Sequence, residues 1–98
     1  LFIYVAMQDN VCIGYSMNFV SNHFHYADLI VTQNDVLFVK KEFRSGRLGL
    51  RLIKATEEHA KSIGCKLMLW HAKENTALVS LLPRLKYGVQ EIIYSKEI

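Results

Sequence analysis

The sequence has little proline, glycine or cysteine. Its 98 residues include one proline, five glycines and two cysteines. This composition excludes collagen-like and low-complexity chains, and no internal repeat is present. Cys12 and Cys65 lie far apart and form no Cys-x-x-Cys pair, which argues against a disulfide framework or a zinc ribbon. We therefore expect reduced, buried thiols and a cytoplasmic protein.

Long apolar runs are also absent. No segment approaches the ~18 uninterrupted apolar residues of a membrane span, and the apolar opening, residues 1–7, lacks the basic flank of a signal peptide. Hydrophobic residues make up 51 % and charged residues 21 % of the chain, which excludes disorder. The sequence predicts one soluble domain over residues 1–98, without membrane contact. Because the chain begins with Leu1, we expect that a preceding part is missing.

Positive charge is concentrated in one segment. The net charge is +3, yet residues 40–54 hold six basic side chains against the single Glu42, so this segment carries +5 and the remainder carries −2. Gly46 and Gly49 interrupt it. A long nucleic-acid duplex binds best to a wider positive surface that contacts many phosphates, so the pattern favours a compact polyphosphate over nucleic acid. A solvated helix face rich in lysine and arginine is the alternative interpretation.

The first forty residues have the pattern of β-strands. Residues 1–7 and 11–20 are rich in β-branched and aromatic side chains and flank the turn-forming Gln8-Asp9-Asn10, which predicts a β-hairpin. A polar and aromatic loop is expected at residues 21–26. Residues 28–32 and 36–39 form either one strand or two pieces, with a turn or bulge at residues 33–35.

After residue 46 the period changes to that of a helix. Apolar residues at helical spacing predict an amphipathic helix over residues 48–63 that ends at Gly64. Residues 65–71 follow as an interior strand, and Asn75 is expected to cap a second helix that Pro83 kinks or breaks. Residues 89–96 are a predicted last strand. The fold class is α/β (α+β), a mixed, mostly antiparallel sheet with helices packed on it, in the order β-β-β-α-β-α-β.

The segment with functional content is a strand, a basic turn and a helix in series, from Val36 to Leu50. The first turn of a helix leaves unpaired backbone N–H groups and carries a partial positive charge, so it attracts anions. Gly46 and Gly49 allow close approach of phosphate oxygens, and Arg44 and Arg47 add charge. The segment has neither the Walker A pattern nor the Gly-x-Gly-x-x-Gly pattern of dinucleotide folds.

This segment resembles the GNAT superfamily of acyl-CoA-dependent N-acetyltransferases. The family loop is Arg/Gln-x-x-Gly-x-Gly/Ala after a strand, and here Arg44 takes its first position and Gly49 its last. Arg47 departs from the family at the inner glycine position, next to Gly46. The residues Arg-Ser-Gly-Arg-Leu-Gly-Leu, the His-x-His-Tyr at residues 23–26 and residues 93–96 are similar to a phage-associated branch of the superfamily.

The resemblance implies an acetyl-CoA site with no metal. Backbone groups near Phe38 and Val39 would lie along the pantetheine arm, and the amide of Val39 would stabilise the developing oxyanion. Asn75 would lie near the coenzyme. The pyrophosphate would be bound at Arg44, Ser45, Gly46, Arg47, Leu48, Gly49 and Leu50. The family also has a first strand and two helices ahead of the hairpin, and we expect that this sequence lacks them or that a partner chain, such as a second copy, supplies their cover.

Three residues are candidates for the general base. Asp35 precedes the coenzyme strand, and His23 and His25 titrate near neutrality. Asp35 is alternatively an Asx-turn residue, and the histidine pair is alternatively a surface or acceptor-pocket feature; no neighbouring acid or thiol completes a metal site. The tyrosine that serves as general acid in the family is replaced here by Leu82.

Three functions remain open at this point. The first is transfer of an acetyl group from acetyl-CoA to a small-molecule or protein amine by direct attack in a ternary complex, with Tyr87 or Tyr94 as conceivable acids. The second is a catalytically impaired acyl-CoA-binding or interaction module, suggested by Leu82 and Arg47. The third is nucleic-acid binding by residues 40–54, which a steep salt dependence would reveal.

Overall fold

The computed structural model describes the backbone of residues 1–23 and 26–98 and the side chains of residues 1–22 and 29–98. The elements in chain order are β1 (Phe2–Gln8), β2 (Val11–His23), β3 (Tyr26–Val39), α1 (Leu48–Ser62), β4 (Leu67–Leu69) and α2 (Ala77–Arg84). They form a sheet in the order β1-β2-β3-β4. Since β4 is parallel to β3 and the other pairs are antiparallel, the predicted mixed, mostly antiparallel fold is confirmed.

The hairpin at the start of the chain forms where the turn residues predict it. Asp9 and Asn10 both have left-handed backbone angles, with φ of 52° and 65°, as a two-residue hairpin turn that matches the twist of its strands requires. Gln8 pairs with Val11 across this turn. Aspartate and asparagine tolerate these angles better than other residues with a Cβ, so the local sequence favours this turn, and the register then shifts by one residue between Ala6 and Met7.

β3 is one strand rather than two pieces, and Asp35 is its bulge. Met17 on β2 pairs with Val36 while Asn18 pairs with Asn34, which leaves Asp35 without a partner residue. β2 also extends beyond the predicted boundary, because Ser21 pairs with Val31. The prediction of a loop over residues 21–26 was therefore wrong for the part that lies in β2 and β3, since cross-strand pairing outweighs the polar composition.

α1 packs on one face of the sheet through a partly polar seam. Leu52, Ile53, Thr56 and Ala60 are its buried residues, on the face that the helical period predicts. Thr56 Oγ1 lies 2.6 Å from Ser16 Oγ on β2 and donates to the Leu52 carbonyl at 2.7 Å. Because the buried hydroxyls bond to each other, they avoid the cost of unsatisfied polar groups.

The C-terminal part differs from the sequence prediction in three respects. Thr76 rather than Asn75 occupies the N-cap position of α2, where it makes no side-chain capping bond, and Asn75 has a left-handed φ of 63°. The helix continues through Pro83 and ends one residue later. No strand forms over residues 89–96, where Val89 and Tyr94 are 84 % and 88 % exposed; β-propensity alone does not form a strand without a neighbour to pair with.

Two further observations concern single residues and membrane contact. Cys12 is exposed, so the prediction that both thiols are buried was wrong for that residue; it lies near the turn end of β2, in the exposed part of the hairpin. Cys65 is partly buried, and its Sγ lies 2.7 Å from Thr32 Oγ1. In the described parts of the chain, neither helix has the length and apolarity to cross a bilayer.

Both helices end in the same hydrogen-bonded motif. After α1, Gly64 N–H donates to the Lys61 carbonyl and Cys65 N–H to the Ala60 carbonyl. After α2, Lys86 N–H donates to the Pro83 carbonyl and Tyr87 N–H to the Leu82 carbonyl. This is the Schellman motif, whose first residue beyond the cap is left-handed. Gly64 adopts this conformation without strain, whereas Lys86 does so at a φ of 69° with a Cβ.

We expect Lys86→Gly to stabilise the protein. The left-handed conformation costs a residue with a Cβ about 1 kcal/mol, which glycine avoids. The free energy of unfolding in urea should rise by about 0.5–1 kcal/mol, after the greater backbone entropy of glycine is allowed for. The matched control is Gly64→Lys, which should destabilise by a similar amount because it puts a Cβ on a residue with a left-handed φ of 87°. Crowding adds little, since this Cβ would meet only Ile30 Cδ1, at 3.9 Å. Loss of stability in Lys86→Gly would contradict the backbone strain that we assign to the left-handed Lys86.

Candidate coenzyme site

The basic turn, residues 40–47, connects the end of β3 to the start of α1. It contains a 3₁₀ turn over Lys41–Phe43, and α1 follows after Arg47. No residue from 44 to 50 is buried. Gly46 N–H donates to the Phe43 carbonyl at 3.4 Å, and the first amide bonded within α1 is that of Arg51, to the Arg47 carbonyl.

Five amides of this segment have no hydrogen-bond partner among residues 1–23 and 26–98. They belong to Ser45, Arg47, Leu48, Gly49 and Leu50. Arg47, the residue that precedes α1, makes no side-chain capping bond. A helix start with free, accessible amides concentrates positive potential, which suits an anion with several oxygens. The unpaired backbone N–H groups expected at the start of this helix are therefore present in the structure.

The charged side chains around the turn are exposed and differ in their contacts. Arg44 Nε donates to the Val39 carbonyl at 2.7 Å, which holds its guanidinium at the end of β3. The ion pairs within the described residues are those of Lys61 with Glu57 and Glu58, on the far part of α1. The cations of the basic turn therefore form no ion pair with a described carboxylate, and their net positive charge adds to the potential of the helix start.

β3 and β4 pair over only three residues and then separate. The parallel ladder runs from Val31 with Leu67 to Gln33 with Leu69, whereas β3 continues to Val39. We call the opening beside residues 34–39 of β3, beyond the end of β4, the strand gap. It begins at the bulge and ends beside the basic turn, so one open edge connects the two features.

The hydrogen-bond alternation of β3 shows which backbone groups face the strand gap. Lys40 N–H donates to the Ile13 carbonyl of β2 at 2.8 Å. Because bonded and non-bonded pairs alternate in antiparallel strands, Phe38 also bonds to β2, while Leu37 and Val39 direct their N–H and C=O groups to the other side. The free groups in the strand gap are therefore the N–H and C=O of Leu37 and the N–H of Val39, because the Val39 carbonyl already accepts from Arg44 Nε. The backbone of Phe38 faces β2.

The bulge is fixed from inside the protein by Asn34. This side chain is 2 % exposed, and its Nδ2 donates to Asn18 Oδ1 at 2.9 Å and to the Val36 carbonyl at 3.1 Å. The bond to Val36 spans the bulged residue Asp35, which is exposed. Bulges redirect side chains and commonly lie beside functional sites. Sequence reasoning missed Asn18 and Asn34; the signal was a period-two run of small or polar residues, Gly14, Ser16 and Asn18.

The other predicted catalytic residues are placed less completely. His25 lies outside the described residues, and for His23 the structure describes the backbone at the end of β2 but not the side chain. Leu82, at the position of the family's tyrosine, is 9 % exposed and belongs to the core. Tyr94 is 88 % exposed in the C-terminal segment. The structure therefore brings Asp35, the strand gap and the basic turn together, and leaves the histidine pair as a prediction.

Tyr87 is engaged elsewhere in the structure. Its hydroxyl donates to Glu57 Oε2 at 2.9 Å, and its ring lies edge-on to Trp70 with centroids 6.4 Å apart. Burial, together with the bond to the Glu57 carboxylate, raises the pKa of Tyr87 to about 12. Glu57 lies nine residues beyond the start of α1, about 13 Å along the axis, so Tyr87 joins the two helices rather than the basic turn.

The fold and site define a class of protein. A parallel β3-α1-β4 crossover with free amides at the start of the helix, beside separated strands, is the arrangement of an acyl-coenzyme-binding fold. Residues 1–87 match the acetyltransferase (GNAT) family, and the chain belongs to this family. No curated protein matches the sequence significantly.

Solved structures of acetyltransferases share the fold. A GNAT family acetyltransferase from Staphylococcus aureus aligns over 99 % of this chain with a TM-score of 0.80 and 20 % identity. The glucosamine-6-phosphate N-acetyltransferase of Arabidopsis thaliana aligns over 97 % with a TM-score of 0.83 and 16 % identity. An aminoglycoside N-acetyltransferase in complex with CoA aligns over 98 % with a TM-score of 0.74 and 18 % identity.

These proteins are longer than the chain. It spans 64 % of the Staphylococcus protein, 65 % of the Arabidopsis enzyme and 75 % of the aminoglycoside N-acetyltransferase. Similarity at this level of identity establishes the fold, whereas function is carried by the residues of the site.

Proposed function

We propose that the protein is an N-acetyltransferase that transfers the acetyl group of acetyl-CoA to an amine in a ternary complex. One observation carries the proposal: five unpaired amides at the start of α1 open beside a strand gap in which Leu37 and Val39 have free backbone groups. We favour a small-molecule amine as the acceptor, because two of the similar structures are an aminoglycoside and a glucosamine-6-phosphate N-acetyltransferase.

The residues present fit the coenzyme at both of its recognisable ends. The unpaired amides of residues 45 and 47–50, with Arg47 beside them, would hold the diphosphate. The free N–H and C=O of Leu37 would pair with the amides of the pantetheine arm, as a strand partner would, and the free N–H of Val39 would face the thioester end. Asn75 remains a proposed contact near the start of α2. Bound acetyl-CoA supplies the activated thioester carbonyl.

The proposed reaction needs an oxyanion donor and a base from the chain. A neutral amine nitrogen attacks the thioester carbon, the carbon–sulfur bond breaks, the electron pair leaves with sulfur, and the nitrogen loses a proton to a base. Val39 N–H, which faces the strand gap, is the proposed donor to the developing oxyanion. Asp35, exposed at the bulge, is the proposed base, with His23 and His25 as further candidates.

The burial of Leu82 favours a second candidate function. The tyrosine of the family pattern is absent from this position, and the leucine lies in the core. A protein that binds the coenzyme without turnover would fit this observation. An acid is nevertheless dispensable, because a thiol of pKa about 8.5 leaves as the thiolate near neutral pH.

Calorimetry with acetyl-CoA tests the binding, and thiol release in the presence of amines tests the turnover. Acetyl-CoA at about 100 times its dissociation constant should add about 2.7 kcal/mol to the free energy of unfolding. Binding with release of the CoA thiol supports the transferase. Binding without thiol release in the presence of aminoglycosides, amino sugars or peptide amines supports the second candidate. Absence of acetyl-CoA binding, with tight and steeply salt-dependent binding of DNA or RNA, would exclude both.

We expect Asp35→Asn to lower kcat at least tenfold and to leave the KM for acetyl-CoA within twofold of its wild-type value. The amide cannot accept the proton of the attacking amine, and general base catalysis contributes about 10²–10⁴-fold in rate. The matched control is Asp9→Asn, at the exposed hairpin turn, which should keep full activity. Equal kcat values for the three proteins would remove Asp35 from the role of base.

A further inference from the structure

His71 forms two hydrogen bonds at the point where β3 and β4 separate. Its Nδ1 lies 3.1 Å from the backbone carbonyl oxygen of Asn34, and its Nε2 lies 3.3 Å from Nε2 of Gln33. A carbonyl oxygen can only accept, so Nδ1 carries the proton and donates. Nε2 then accepts from the Gln33 amide. The neutral imidazole protonated at Nδ1 satisfies both contacts at once.

The Asn34 carbonyl is the acceptor that the next rung of the parallel ladder would use. Lys66 N–H donates to the Ile30 carbonyl at 2.9 Å, so every second carbonyl of β3 faces β4, first that of Ile30, then that of Thr32 and then that of Asn34. Because Thr32 pairs with Met68 and Gln33 with Leu69, the amide of Leu69 faces the Thr32 carbonyl, and the next donor along the chain would be the backbone amide of His71 itself. The described backbone bonds include none from this amide. The imidazole of His71 takes its place.

The side chain of Asn34 makes this carbonyl a fixed point. Its Nδ2 is bonded to Asn18 and to the Val36 carbonyl across the bulge, and the residue is 2 % exposed. The Asn34 peptide is thus held from the interior by its own side chain and from the strand gap by His71. A small displacement of the imidazole would move the end of β4 rather than the bulge.

We propose that His71 is a positioning residue that ends the pairing of β3 with β4 and so sets the width of the strand gap for the pantetheine arm. Without the imidazole, the Asn34 carbonyl loses its donor, and the backbone amide of residue 71 is the group that the register of the ladder places to replace it. One more rung would then form and close the gap next to the bulge. The inference rests on the proposed function for its consequence in catalysis, but the separation of the strands does not depend on it.

Three substitutions of His71 test this role. In His71→Asn the amide nitrogen lies near the position of Nδ1 and can still donate to the Asn34 carbonyl. His71→Ala removes the donor, and His71→Gln places its amide nearer the position of Nε2. We expect the KM for acetyl-CoA to rise about tenfold in the alanine and glutamine variants and to stay within about threefold in the asparagine variant, with kcat changed less than twofold in all three.

Amide hydrogen exchange gives a readout that needs no coenzyme. The protection factor of the backbone amide of residue 71 should be at least tenfold higher in His71→Ala than in the wild type, because this amide gains a bond to the Asn34 carbonyl. His59→Ala is the control, since His59 packs against Phe2 with centroids 4.4 Å apart, far from the strand gap. It should lower Tm without changing the KM or the protection factor of the amide of residue 71.

The outcomes separate this inference from the proposed function. An unchanged KM and an unchanged protection factor of the residue 71 amide in His71→Ala would overturn the positioning role, and so would equal defects in the alanine and asparagine variants. If the wild-type protein bound no acetyl-CoA but the exchange of the residue 71 amide still slowed in His71→Ala, the proposed function would be wrong, and the role of His71 in separating the strands would stand.

Discussion

Gly49→Glu is expected to weaken acetyl-CoA binding about thirtyfold or more and, at the same time, to raise the stability of the protein. Gly49 is the second residue of α1, and a Cβ built on it would lie 3.9 Å from Val39 Cγ2. A side chain there therefore projects between the helix start and the end of β3. This is the space in which the proposed diphosphate contacts the free amides.

The two effects of this substitution have opposite signs for separate physical reasons. Glutamate in place of glycine gains about 0.5–1 kcal/mol of helix propensity, and a carboxylate in the first turn gains about 0.3–1 kcal/mol from the helix dipole. The same carboxylate repels the diphosphate and competes for its amides, and about 2 kcal/mol of lost binding corresponds to about thirtyfold in affinity.

Calorimetry with acetyl-CoA and urea denaturation measure the two effects on the same protein. The matched control is Gly49→Gln, which has nearly the same size without the charge. It should keep the gain in propensity and lose only a few-fold in affinity. Equal affinities of the glutamate variant and the wild type would mean that the diphosphate does not bind at the start of α1.

Gly14→Val is expected to destabilise the protein by about 3 kcal/mol, at the upper end of the usual range for an overpacked interior. A Cβ on Gly14 would lie 2.9 Å from the Phe38 carbonyl oxygen and 3.1 Å from Leu52 Cδ1. The first of these atoms belongs to the backbone of β3 and cannot move without disturbing the ladder. The second belongs to the buried face of α1, so the helix must move away from the sheet.

The change in Tm should be large for a protein of this size. A loss of about 3 kcal/mol corresponds to a fall of about 12 °C or more at about 4–8 °C per kcal/mol. Any folded fraction should also bind acetyl-CoA more weakly, because the start of α1 shifts relative to Val39. Gly88→Val is the matched control, since a Cβ there meets no atom within 4 Å. A Gly14→Val protein as stable as the Gly88→Val protein would contradict the close packing of α1 on β2.

Much of the fold could be predicted because the signals are local. Asp9 and Asn10 favour the left-handed turn of the hairpin, and Gly64 favours the left-handed end of α1, in both cases through their own backbone preferences. The predicted last strand failed for the opposite reason. Residues 89–96 have the composition of a strand, but a strand needs hydrogen bonds to a neighbour, which composition does not supply.

The candidate site divides in the same way. The basic turn was predictable because its charges and glycines are consecutive in the sequence, from Arg44 to Gly49. The asparagines that hold the bulge were not, because Asn18 and Asn34 are sixteen residues apart and meet only when β2 pairs with β3. Likewise the sequence predicted a phosphate contact for Arg44, and the fold in addition directs its Nε to the Val39 carbonyl.

The sequence by itself determined the hairpin, the amphipathic helix, the basic turn before it and the order of the elements from β1 to α2, because each depends on residues within a few positions of one another. Only the tertiary structure decided that Asp35 is a bulge, that Leu37 and Val39 have free backbone groups, and that His71 bonds to Asn34. These features depend on which strands become neighbours and where their pairing stops. That is a property of the assembled sheet, since no single segment contains both partners of such a contact.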